Sequence, residues 1–392
     1  MTGNKGPDQD FRPHGHGGWG IRTGRWHRER RRRGTRLRLR VVAVDEDTTL
    51  LGVMDIAAFC RQSRVLIVAG KGGVGKTTMV AALAHMAAGA GLSVLVVELE
   101  GRSGVADAFG SDDGLDYAES VLRAAGATPA TDADGDQSGK IPAGTVRART
   151  ITPDDALLEY LADHGLKRVS KRLLSSGIID LVAGAIPGIR DILVLGKVKQ
   201  IERSGTADLI LVDAPATGHT MTFLSSAGGL LDAARGGPIR AQAAEVVDLL
   251  SDPARCQVAL VTLPEEMPVN EAIEAAYQLE DRVGVALGPV IVNACYPPLA
   301  GLGVPAAEAV GAAGVDLDDA LIDALDAARR FRLTRQELQA DQLDRLGREL
   351  PLAQLRVPFL FTDAIGPGEL DALSVALADA VSALHDPSTV AS

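Results

Sequence analysis

The chain has 392 residues, 46% hydrophobic and 23% charged, a globular balance that excludes disorder along its whole length. Its net charge of −11 joins two unlike parts: residues 1–40 carry 12 Lys/Arg against 3 Asp/Glu, and the remaining 352 carry 28 against 48, an acidic body with which no nucleic acid partner is expected. Three scattered cysteines (Cys60, Cys256, Cys295) exclude a disulfide framework. Together with the lack of an 18-residue apolar run or a leader-like start, they predict a cytoplasmic chain that is at most peripheral to a membrane.

Residues 1–53 read as a disordered basic tail, or as an extension upstream of a start at Met54. Residues 1 to about 40 hold both tryptophans (Trp19, Trp26) and the run Arg30–Arg33, and show no apolar periodicity. From residue 64 onward, apolar strand signals alternate with helical ones. Strands are expected at 64–69, 93–97, 208–212, 257–262, 289–293 and 357–361, and an Ala-rich helix at 78–90. This alternation predicts an α/β fold with a doubly wound, mostly parallel sheet. Residues 112–148 read as a polar loop or insertion. A helical insertion occupies about 150–203, with an unusually apolar stretch from Leu173 to Val198. Residues 316–350 read as a solvated helix with i, i+4 ion pairs. The domain is expected to span 54–386, with 387–392 as a tail.

The first strand leads into Gly70-Lys71-Gly72-Gly73-Val74-Gly75-Lys76-Thr77-Thr78, and a helix follows. The spacing G-x-x-x-x-G-K-[ST], between a strand and a helix, is that of a phosphate-binding loop. Glycines let backbone N–H groups face phosphate oxygens, Lys76 supplies a cation for the β- and γ-phosphates, and the Thr77 hydroxyl is a Mg²⁺ ligand. The helix N-terminus adds positive potential. The cofactors expected are ATP and Mg²⁺. Asp213, at the end of the 208–212 strand, is a second candidate for holding Mg²⁺, and the turn after it, through Thr217-Gly218-His219-Thr220, suits a γ-phosphate-sensitive element.

The lysine-doubled loop and the run Asp213-x-x-x-Thr217-Gly218-His219-Thr220 together resemble the arsenical pump-driving and tail-anchored-protein-targeting ATPase family of P-loop proteins. Val261–Pro268, Ile291-Val292-Asn293, Ala106–Gly110 and Ile186-Pro187-Gly188 extend the resemblance over about 64–385. It is most similar to the single-copy actinobacterial anion-transporting ATPases. The resemblance implies a Mg²⁺-dependent ATPase that works as a dimer switch, as a homodimer or with a paralogous ATPase, and a membrane-protein or otherwise apolar client. It also implies that Lys71 reaches the partner's nucleotide and that Asn293 hydrogen-bonds the purine.

One position departs from the family. Where members carry Asp-Pro-Ala-His, with the Asp polarising the attacking water, this chain has Glu98-Leu99-Glu100-Gly101-Arg102, with Glu100 at that Asp. The longer side chain shifts the carboxylate, and a displacement of ~1 Å can cost about 100-fold in rate. Slow hydrolysis is expected, with Glu98 the rival for the role. A nucleotide-binding scaffold subunit that pairs with a catalytic paralogue is the alternative. The cysteines offer neither C-x-x-C nor a soft-metalloid trio, so arsenite stimulation is in doubt. A partition or division-site ATPase fits less well, because of the T-G-H-T run and the helical insertion.

Overall fold

The computed structural model describes residues 54–99, 104–124, 141–163 and 188–384. Among them, eight strands form one sheet in the order β3-β4-β2-β5-β1-β6-β7-β8. The strands are β1 (Val65–Gly70), β2 (Val94–Glu98), β3 (Ser120–Arg123), β4 (Val146–Thr150), β5 (Leu209–Ala216), β6 (Cys256–Thr262), β7 (Ala286–Cys295) and β8 (Gln354–Pro358). All neighbours run parallel except β3, which pairs antiparallel with β4 at one edge.

Strands buried on both faces need apolar side chains at every position, and the central strands show this. Val65, Ile67 and Ala69 of β1 enter one core with Ile210 and Val212 of β5, while Val68 and Leu211 enter the other. The first core is roofed by α5 (Ile189–Ser204), α6 (Thr217–Ala233), α7 (Pro238–Ser251) and α8 (Glu266–Gln278), with Ala156 of α4 (Pro153–Asp163) at its margin. The second core is covered by α1 (Ile56–Cys60), α2 (Lys76–Gly89), α3 (Gly104–Ala108) and α11 (Pro367–Ser382). The α2 helix is apolar nearly all round because the sheet and α11 enclose it.

Several sequence expectations change. Residues 112–148 are not simply a loop: they contain β3 and the start of β4. The polar, Gly-, Asp- and Thr-rich composition of the segment hides β4, in which Arg149 is buried. Arg147 and Arg149 both pair with Glu119, and the Arg149 guanidinium lies 4.2 Å from the centre of the Tyr117 ring. The last strand is Gln354–Pro358 rather than 357–361. Leu355 and Val357 point inward with exposed Arg356 between them, and past Pro358 the Phe359 N–H still donates to the Cys295 carbonyl of β7 at 2.8 Å. The strand expected at 208–212 runs on to Ala216, so Asp213 lies within β5 and α6 follows with no free turn.

Of the helical insertion, α4 and α5 are described; residues 164–187 lie outside the described residues. Between β7 and β8 come α9 (Ala306–Ala313) and α10 (Asp319–Glu349). The α10 helix is the expected solvated helix. Only Gln339 and Leu346 are buried along its 31 residues, and Asp326–Arg330 and Arg345–Glu349 are i, i+4 ion pairs.

Candidate nucleotide site

The loop joining β1 to α2 lies at the carboxyl ends of β1, β5, β6 and β7, the edge where open α/β sheets bind ligands. Gly70 closes β1, Gly72 and Gly73 are exposed at the crest, and buried Val74 anchors the loop in the second core. Gly75 caps α2 at φ +90°, and Lys76, Thr77 and Thr78 form the first helical turn. The first-turn N–H groups and the helix dipole make a positive end that faces the loop.

Gly75 is fixed by two constraints. Its left-handed φ costs a side-chain-bearing residue roughly 1–2 kcal/mol, and a Cβ there would lie 2.4 Å from Nδ2 of Asn293. Gly75→Ala should therefore lower the melting temperature by a few degrees and push Asn293 off the loop. Calorimetry together with a nucleotide titration checks this; a wild-type melting point and affinity would contradict it.

Asn293, near the end of β7, donates from Nδ2 to the Val74 carbonyl at 3.0 Å and accepts at Oδ1 from the Ala294 N–H at 2.8 Å. The side chain expected to meet a purine is thus also a brace for the phosphate loop. Ala294 has φ +58°, unusual for a non-glycine residue, and this bend turns the chain toward Tyr296.

Thr77 and Asp213, 136 residues apart in sequence, meet at the core of the site. Thr77 Oγ1 donates to Asp213 Oδ2 at 2.6 Å. Parallel pairing aligns Asp213 with Val68 of β1 and Glu98 of β2. The start of α3 packs on the other side of Thr77: a Cβ on Gly104 would sit 2.9 Å from Thr77 Cγ2. Glycine at 104 therefore lets α3 pack against the Thr77 methyl group, which the sequence did not signal.

Glu98 is buried, and its Oε1 accepts the Val105 N–H at 2.9 Å, so it is engaged as a brace for α3. Glu100 lies outside the described residues. His219 is exposed on the first turn of α6, where Thr220 Oγ1 donates to the Pro215 carbonyl at 2.5 Å.

Lys76 Nζ donates to the Lys71 carbonyl at 3.4 Å. Lys71 Nζ reaches away from the loop to Glu271 Oε1 of α8 at 2.5 Å. Glu271 was not singled out from the sequence. It is 200 residues from Lys71, and no local pattern marks it.

The cysteines do not converge. Cys60 and Cys256 are buried in cores on opposite faces of the sheet, and burial pushes each thiol up to about 12. Burial also raises the Cys295 thiol, whose Sγ donates to the Val292 carbonyl. Protonated, separated thiols make poor soft-metal ligands. Among the described residues, no group of three or more His, Cys, Asp or Glu side chains could hold a metal ion, and no helix is long and apolar enough to cross a membrane.

Comparison with known proteins accords with this geometry. Residues 65–339 match the family model described as the CobQ/CobB/MinD/ParA nucleotide binding domain. ATPase BagA of Mycobacterium tuberculosis is 34% identical over 339 residues, covering 80% of this chain and 92% of that protein. The arsenical pump-driving ATPase of Acidiphilium multivorum is 26% identical over 64% of this chain and 38% of its own length. ATPase get3 of Schizosaccharomyces pombe is 28% identical over 41% of this chain and 42% of its own. With its phosphate-binding loop, parallel sheet and match over residues 65–339, the chain belongs to the CobQ/CobB/MinD/ParA nucleotide-binding domain family.

Proposed function

We propose that this chain is a Mg²⁺-dependent ATPase whose nucleotide state controls its association with a second copy of itself or with a paralogous ATPase. The observation that carries the reading is the Thr77–Asp213 contact at 2.6 Å, beside the N-terminus of α2. A hydroxyl and a carboxylate are hard oxygen donors, and Mg²⁺ bound to a nucleotide takes few ligands from the protein and the rest from phosphate and water. These residues therefore fit the ion: Thr77 would offer its hydroxyl, and Asp213 would hold the ion through its water shell. When bound, Mg²⁺ would neutralise charge on the phosphate oxygens.

The remaining roles belong to the chain. Loop N–H groups and the α2 terminus hold the phosphates, Lys76 offsets charge developing on the transferred group, and Asn293 meets the base. Lys71 acts across the interface on the other chain's nucleotide. Glu100 orients the attacking water, and this is supported by the engagement of Glu98 with Val105. Glu100→Gln should abolish the residual turnover while ATP still binds; Glu98→Gln should lower stability first. A full rate in Glu100→Gln with loss in a folded Glu98→Gln variant would reverse the assignment.

A second reading is kept by Glu100 itself, which replaces the aspartate of the resembled family: a scaffold subunit that holds nucleotide and hydrolyses little. Turnover measured alone and after mixing with a paralogue separates the two.

The output is proposed to be binding or release of an apolar client or a membrane-protein partner on the cytoplasmic side. Leu157, Tyr160, Ile189, Leu193 and Ile239 line an apolar pocket of about 170 Å³ between α4, α5 and α7. Ile192, Val194, Leu195 and Val198 of α5 are buried, while 173–187 lie outside the described residues. Hydrogen exchange across 173–198 should differ between the ADP and ATP-analogue states. Identical, full protection in both would leave this stretch a packing role only.

A further inference from the structure

We infer that Glu271 is a positioning residue that retains Lys71 on its own chain until a nucleotide-bearing partner competes for it. The inference rests on the action of Lys71 across the interface proposed above.

Residue 71 is held at two points. Its side chain ends on Glu271 Oε1 at 2.5 Å, and its carbonyl accepts the Lys76 ammonium at 3.4 Å. The second bond is long, and a phosphate oxygen makes a shorter, charge-assisted one with the same ammonium. Nucleotide would thus draw Lys76 from the Lys71 carbonyl and loosen the main chain at residue 71. The Lys71–Glu271 contact would remain.

The carboxylate is the fixed member of that pair. Glu271 lies inside α8, which is tied to α10 by Arg335–Glu265 at 2.8 Å, by Arg345–Asn270, and by the Tyr277 hydroxyl on the Glu349 carbonyl at 2.9 Å. Lys71 is the mobile member, a point charge on a flexible stem. Both side chains are partly exposed, at 41% and 34%, so an anion arriving from outside can compete for the ammonium. The phosphates of a nucleotide carry more negative charge than one carboxylate. A second chain without nucleotide offers no such replacement, so Glu271 discourages association of nucleotide-free chains.

A partly exposed ion pair shifts an equilibrium by about two- to fivefold. A symmetric pair of chains breaks two of them, so the association constant should change by about 4- to 25-fold. Sedimentation of the full chain with Mg²⁺ and adenylyl imidodiphosphate measures it for wild type, Glu271→Gln, Lys71→Ala and the double variant. Calorimetric titration of each with the same analogue reports binding to the single chain. Glu271→Gln should associate 4- to 25-fold more tightly, with single-chain affinity within twofold of wild type, and should have no effect when Lys71 is already alanine. Association that is unchanged or weaker in Glu271→Gln, while wild type associates with the analogue, overturns the role of Glu271 alone. An equal shift in the Lys71→Ala background overturns it too, since the effect would not pass through Lys71. If neither wild type nor Glu271→Gln associates with the analogue bound, the dimer reading falls and this inference with it.

Discussion

Lys76→Ala is expected to weaken ATP binding by about 10- to 100-fold and to remove turnover, with the fold intact. The ammonium is placed in the first turn of α2 and meets the Lys71 carbonyl at 3.4 Å, a bond whose loss costs the folded chain little. Against a triphosphate the same ammonium makes charge-assisted bonds, each contributing about 1.5–3 kcal/mol, and 1.4 kcal/mol is a factor of ten. Arginine is no substitute, because its planar fork does not replace a point charge inside a tight loop. Calorimetric titration with ATP and a thermal melt on the same samples check the result. Wild-type affinity in a folded Lys76→Ala variant would remove the loop from the nucleotide site.

Thr77→Ala and Asp213→Asn form the second large effect. Each removes one half of the 2.6 Å hydroxyl–carboxylate contact. Each should lower Mg²⁺-dependent turnover by about 10- to 100-fold, on the same scale for a hydrogen bond to a charged group. Since both are proposed to act on one ion, the double variant should lose little more than the worse single one. Titrating Mg²⁺ at saturating ATP reads the difference. Fully additive losses, or unchanged Mg²⁺ dependence in either variant, would separate the two residues from a shared metal role.

What could be read in the sequence followed from how local the cause was. The phosphate loop declares itself because β1 needs apolar side chains on both faces, and Gly73 and Gly75 after it take positive φ; both are local properties of the chain. Six of the seven parallel strands were legible for the same reason, although β8 was placed three residues too late and β5 ended too early. The β3 and β4 strands were not. Their polar, Gly-, Asp- and Thr-rich surroundings read as a loop, and Glu119 and the Tyr117 ring, reached through the fold, make a buried Arg149 tolerable. Asp213 stood out as an acid at a strand end, but its contact with Thr77 depends on the register of β1 and β5. Glu271 and Gly104 gave no signal. One matters only through a lysine 200 residues away, and the other only because a Cβ would strike Thr77.

Phosphate release per chain, measured with Mg²⁺ and ATP over a hundredfold range of protein concentration, tests the central claim most directly. An ATPase in which Lys71 serves a partner's nucleotide predicts slow, Mg²⁺-dependent release whose rate per chain rises with concentration and then levels off as association saturates. Release that is absent at every concentration, or that proceeds equally with the Mg²⁺ chelated, would contradict it.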